Sequence, residues 1–88
     1  MPKINFKRND ETGGVCAVFH VGVGSRKRFF YADKSWVSGV GEETMIFPCT
    51  KEGKVNSWDE VYCDRSGKSI SKCIEEFVWS GDAFIGAV

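Results

Sequence analysis

The chain has 88 residues, of which 42% are hydrophobic and 27% charged, and its 12 Lys/Arg and 12 Asp/Glu cancel to zero net charge. That length supports one hydrophobic core and not two lobes, so residues 1–88 are read as a single domain. The balance of apolar and charged side chains argues against intrinsic disorder, and neutrality argues against a dedicated nucleic-acid binder, which concentrates positive charge.

No apolar run approaches the roughly 18 residues that span a bilayer, and the opening "MPKINFKRND" is too polar for a signal-peptide core. The expectation is a cytoplasmic protein in which Cys16, Cys49, Cys63 and Cys73 are thiols. Charge is unevenly spread along the chain. Residues 1–36 carry seven cations against three acids and residues 37–88 carry five against nine, leaving halves of +4 and −4. Packing of the two halves against each other is expected to pair most of these charges.

In chain order, "KINFK" (3–7) alternates Ile4 and Phe6 with polar neighbours, the period of a half-buried strand. "GVCAVFHVGVG" (14–24) has the same alternation and β-branched content, and residues 26–32 return as its hairpin partner, so the hairpin spans 14–32. With Gly24 and Ser25 as a two-residue turn, Val23 pairs with Arg26, Val21 with Arg28, Phe19 with Phe30 and Ala17 with Ala32. Alternation then places Cys16, Val18, His20 and Gly22 on the opposite face, against Asp33, Tyr31, Phe29 and Lys27.

Further along, "SGVGEE" (38–43) reads as a loop and "TMIFPC" (44–49) as a strand stopped by Pro48. Ser57 and Glu60 have the spacing of a capping box, which predicts a short helical turn at 57–62. In "SISKCIEEFVWS" (69–80), Ile70, Cys73, Ile74, Phe77 and Val78 recur at helical spacing, with Ser69 as N-cap and Gly81 as the residue after the helix. "DAFIGAV" (82–88) is read as a last edge strand. The fold expected is α+β: a small antiparallel sheet packed on one α-helix.

Catalytic signals are sparse. His20 is the one histidine, and it lies within a strand; none of the thiols has the C-x-x-C pairing of a structural zinc site. "GVGSRK" (22–27) lacks the spacing of a phosphate loop. No cofactor or metal is therefore expected, and no enzyme. What stands out is "SRKRFFYADKSW" (25–36), which sets cations directly against aromatic rings. Arg26, Lys27, Arg28, Phe29 and Tyr31 are the candidate contact residues, because Arg and aromatic side chains are the strongest anchors at protein interfaces. Glu42, Glu43, Asp59, Glu60 and Asp64 form a second, acidic candidate surface that would imitate phosphate.

The block "ETMIFPCTKEGKVNSWDEVYCDRSGKSISKCIEEF" (43–77), about two-fifths of the chain, resembles segments of short accessory proteins carried by bacteriophages. The likeness rests on "ETMIFP", the "G-K-V" turn, the "W-D-E-V-Y" turn and the closing helix. It implies a bacterial host cell and a non-enzymatic inhibitor of a host defence or nucleic-acid-processing complex, of the anti-CRISPR or anti-restriction kind, acting by stoichiometric protein contact. The alternative is a single-stranded nucleic-acid-binding module that uses the same basic-aromatic hairpin. With one helix available to cover one sheet face, the other face depends on loops such as "VNSWDEVY" or the C-terminal segment folding over Phe29 and Tyr31, on a partner, or on a second copy of the chain.

Overall fold

Five strands and one helix follow one another in the computed structural model, which describes residues 4–22 and 24–86, with side chains described as far as Val78. The strands are β1 (Phe6–Arg8), β2 (Val15–Val21), β3 (Arg28–Val37), β4 (Gly41–Cys49) and β5 (Tyr62–Asp64), and the helix is α1 (Ile70–Gly86). All neighbours pair antiparallel in the order β1-β2-β3-β4-β5, an uninterrupted meander. The expected α+β architecture is the one observed.

The central hairpin has the register read from the sequence: Val21 opposite Arg28, Phe19 opposite Phe30 and Ala17 opposite Ala32. Its bend is different from the two-residue turn expected. The ladder ends at Val21 and resumes at Arg28, and between them Gly24–Arg26 forms one turn of 3-10 helix in which the Lys27 N–H donates to the Gly24 carbonyl at 3.3 Å. Gly22 is responsible. Its φ of 91° turns the chain out of the ladder early, and a Cβ there would lie 2.6 Å from the Arg26 carbonyl oxygen. The expected Val23–Arg26 pair involves a residue outside those described.

Phe19, Phe30, Ala32 and Ile46 project from one face of the sheet and bury against Ile70, Ile74 and Phe77 of α1. Phe77 is the hub, with ring centroids 4.9 Å from Phe30 and 6.1 Å from both Phe19 and Tyr62. Ser69 caps the helix as expected, its Oγ accepting from the Lys72 N–H at 3.2 Å. A side-chain network also ties β5 to the helix. Lys68 Nζ lies 2.8 Å from Glu76 Oε2, and the Tyr62 hydroxyl donates to the same oxygen at 3.2 Å.

Four sequence expectations are corrected by tertiary contacts. The helix does not end before Gly81, and 82–86 are helical instead of an edge strand, while 87–88 lie outside the described residues. The helical period itself continues: Gly81, Phe84 and Ile85 fall four, seven and eight positions after Phe77. The strand placed at 44–49 begins at Gly41 and runs through Pro48, and the loop expected at 38–43 shrinks to 38–40. Pro48 is tolerated because the backbone polar edge it presents lies on the side away from β3, where its carbonyl accepts from the Asn56 N–H at 2.9 Å. The helical turn expected at 57–62 is absent. Ser57 Oγ accepts from Asp59 two residues on, and the Val61 N–H is drawn to the Ile46 carbonyl at 2.8 Å, which leads into β5. The strand placed at 3–7 is observed as Phe6–Arg8, with Ile4 packed against the core.

Replacing Phe77 by Ala removes the hub ring and leaves a cavity under three aromatic neighbours. A loss of about 3–5 kcal/mol in urea unfolding is expected. The hydrogen bond from Lys68 holds Glu76 below the ordinary glutamate range, with help from Tyr62. A carboxylate so depressed stabilises the fold above its unfolded pKa of about 4.3 and loses that contribution as pH falls through the lower folded value. Glu76→Gln should therefore flatten the acid limb of the stability–pH curve, measured by thermal unfolding between pH 2 and 7 in a series of about 1-unit steps.

Candidate binding groove on the open sheet face

The face of the sheet away from α1 carries Cys16, Val18 and His20 from β2, Phe29, Tyr31 and Asp33 from β3, and Met45, Phe47 and Cys49 from β4. The β4 part of this face is covered. Trp58 sets its ring 5.1 Å from Phe47 at 70°, and both Phe47 and Cys49 are buried. The β1–β3 part is not covered, and a groove of about 490 Å³ runs over it. Its floor is Cys16, Val18 and Tyr31, one wall is Lys7 of β1 with Asn5 just before it, and the other is the loop at 51–53.

That loop is a built wall. After Cys49 the chain turns back on itself, with Thr50 N–H to Lys54 O at 2.8 Å, Gly53 N–H to Thr50 O at 2.9 Å and Lys54 N–H to the Thr50 hydroxyl at 3.1 Å. Gly53, at φ 90°, sits directly on Val18: a Cβ there would fall 2.9 Å from Val18 Cγ2. At the far end of the groove, Asn9 reaches over from the β1–β2 turn and donates to Asp33 Oδ2 at 2.6 Å, and the Tyr31 hydroxyl donates to the same oxygen at 3.1 Å. Burial, together with the neighbouring Cys16 thiol and the Asp33 carboxylate, raises the Tyr31 phenol well above its ordinary value.

Of the candidate contact residues, Phe29 and Tyr31 are half-buried on the open face, and Phe29 lies 5.9 Å from the His20 ring. Arg26 and Lys27 are exposed in the connection before β3, and Arg28, also exposed, is opposite Val21 on the helix side. The acidic candidates are not gathered into one surface. Glu42 is ion-paired to Lys34 at 3.3 Å, whereas Glu43 is buried on the other side of β4 with Arg65 Nε at 2.6 Å. Asp64 is bonded to Ser66, and Asp59 and Glu60 are exposed in the bend before β5.

The expected pairing of the two charge halves is overturned. Of the cations before residue 37, Lys34 is ion-paired, to Glu42, but Lys7, Arg8, Arg26, Lys27 and Arg28 have no carboxylate partner among the described residues. Arg65, Lys68 and Lys72 are paired with acids of their own half. Antiparallel folding puts the 22–27 connection and the 50–54 loop at the same end of the sheet, so Arg26, Lys27, Arg28, Lys51 and Lys54 collect there. Alternation in the sequence was enough to place Phe29, Tyr31, Val18 and His20 on one face. Lys51 and Gly53 carried no such signal, because a loop folding over a strand leaves no local pattern.

The His20 ring is set against Phe29, and burial pushes the Cys49 and Cys63 thiols up, away from the thiolate form that attacks substrates. Among the described residues no three His, Cys, Asp or Glu side chains converge as metal ligands do, and no helix is long and apolar enough to cross a membrane. The chain matches no protein-family model, no curated protein and no solved structure.

The second tyrosine, Tyr62, is raised in the same direction as Tyr31, by burial and by Cys73 and Glu76. A phenol whose folded pKa exceeds its unfolded value stabilises the protein below about pH 10 and ceases to do so as pH rises through the folded value. Phenolate absorbance should therefore stay absent through the ordinary tyrosine range and emerge together with loss of circular dichroism. A tyrosine titrating near pH 10 with the fold intact would show that its hydroxyl is open to solvent.

Proposed function

We propose that this is a non-enzymatic binding protein that acts by stoichiometric contact with a host protein or nucleoprotein complex, the role implied by the resemblance of residues 43–77 to short phage-carried accessory proteins. The observation that supports the reading is the preformed groove containing Tyr31 and Phe29 beside cations that no described carboxylate neutralises. Rings held on a rigid sheet lose little conformational entropy on binding, so their contacts translate into affinity. The groove is also the part of the sheet that neither α1 nor Trp58 covers.

A second reading shares these residues. Unpaired cations next to aromatic rings suit single-stranded nucleic acid, with phosphates on Lys7, Lys51 and Arg26. Salt separates the two, because counterion release makes log K for a phosphate contact fall linearly with log salt, while an aromatic-anchored protein interface responds less.

The double variant Phe29→Ala/Tyr31→Ala should lose partner capture from a bacterial lysate by about a hundredfold or more and keep its circular dichroism spectrum. Tyr31→Phe, which keeps the ring, should retain capture. Nuclease treatment of the lysate distinguishes a protein partner from nucleic acid in the same experiment. Unfolding of the double variant, with Tyr31→Phe indistinguishable from the parent, would assign both rings to the scaffold and remove the proposed contact surface.

A further inference from the structure

We infer, resting on the binding reading above, that the partner element seated in the groove is an acidic segment of a protein chain that inserts a large apolar side chain onto Val18. Three features support this. The first is where the molecule leaves its cations unneutralised. At the α1–β5 corner, Arg65 lies against Glu43, Lys68 against Asp64 and Glu76, and Lys72 against Glu75. Lys7 and Lys51 line the groove on opposite walls, and Arg26, Lys27 and Lys54 lie at the same end of the sheet as the 51–53 loop, none of them ion-paired among the described residues. A ligand of negative charge is steered into such a surface and held in register by it.

The second feature is the chemistry of the floor. Val18 remains 39% exposed, a large fraction for a valine at mid-strand, and the Cys16 thiol lies beside it. The available surface is thus methyl and sulfur, which an inserted Leu, Met or Phe side chain buries well. A volume of about 490 Å³ accommodates such a side chain with its flanking backbone.

The third feature disfavours a nucleic acid in the same groove. Stacking needs an open ring face, yet Phe29 and Tyr31 are both half-buried on the sheet, with the His20 ring 5.9 Å from Phe29. Glu52 moreover places a carboxylate on the loop wall, where a tracking phosphate backbone would meet it. A peptide can put its acids on the rim cations and its apolar side chain on the floor; a strand of phosphates cannot skip the interior.

Selection from a random peptide library on the full chain tests this directly, with a random single-stranded DNA library selected in parallel. Enriched peptides should carry net negative charge and at least one large apolar residue. Their affinity should fall by about tenfold or more in Arg26→Glu/Lys27→Glu/Lys51→Glu, whose positions are all exposed, and also in Phe29→Ala/Tyr31→Ala. Enriched peptides that are neutral or basic, an absence of enriched peptides, or DNA ligands that depend on Phe29 and Tyr31 would overturn the inference. Peptide binding that survives charge reversal but is lost in the ring variant would keep the groove as the contact surface and discard the acidic partner. Peptide binding that ignores the ring variant would discard the groove itself.

Discussion

Phe77 packed among Phe30, Phe19 and Tyr62 is the contact on which the rest of the molecule depends. Aromatic rings at these separations contribute both buried area and edge-to-face attraction, and three partners on three different strands hold α1 to one side of the sheet. Strand side chains alternate, so covering Phe19 and Phe30 necessarily leaves Val18, His20, Phe29 and Tyr31 on the other side. The groove is a consequence of the core. A single helix of 17 residues cannot cover two faces, and the segment that partly seals the second one, 50–61, reaches as far as Phe47 and Val18 and stops.

Charge placement adds to this division of the surface. The second half of the chain satisfies its cations locally: Lys68 and Glu76 are brought together by the β5–α1 corner, and Arg65 reaches back across the sheet to Glu43. The hairpin's cations have no such opportunity. They are carried out to the end of the sheet by a connection that leaves the ladder at Gly22, and the nearest wall of the groove, residues 51–53, brings another lysine with its acid. Zero net charge therefore conceals a surface with one basic end.

Much of the fold was legible because its signals are local. The alternation in residues 14–24 identified β2, and the near-symmetric position of Gly24-Ser25 yielded the correct register even though the turn they were expected to make is not the one formed. The stripe Ile70, Cys73, Ile74, Phe77 and Val78 identified the helix, and Ser69 its first turn. One error arises where two local signals compete and another where a distant contact overrides a local preference. Gly81 resembles a helix terminator, but the helical period passes through it; Ser57 and Glu60 resemble a capping box, but the free carbonyl of Ile46 draws Val61 into extended pairing.

By itself, then, the amino-acid order determined the secondary elements with strong periodicity, the pairing of the central hairpin, and the set of side chains that share each of its faces, since all of these follow from 2- and 3.6-residue repeats within one segment. Only the tertiary structure decided which of those faces is covered, that the loop at 51–53 walls the other into a groove, and that the cations of the hairpin stay unpaired among the described residues. Those outcomes depend on where residues far apart in the chain meet, and a distance between two segments leaves no periodic trace in either of them.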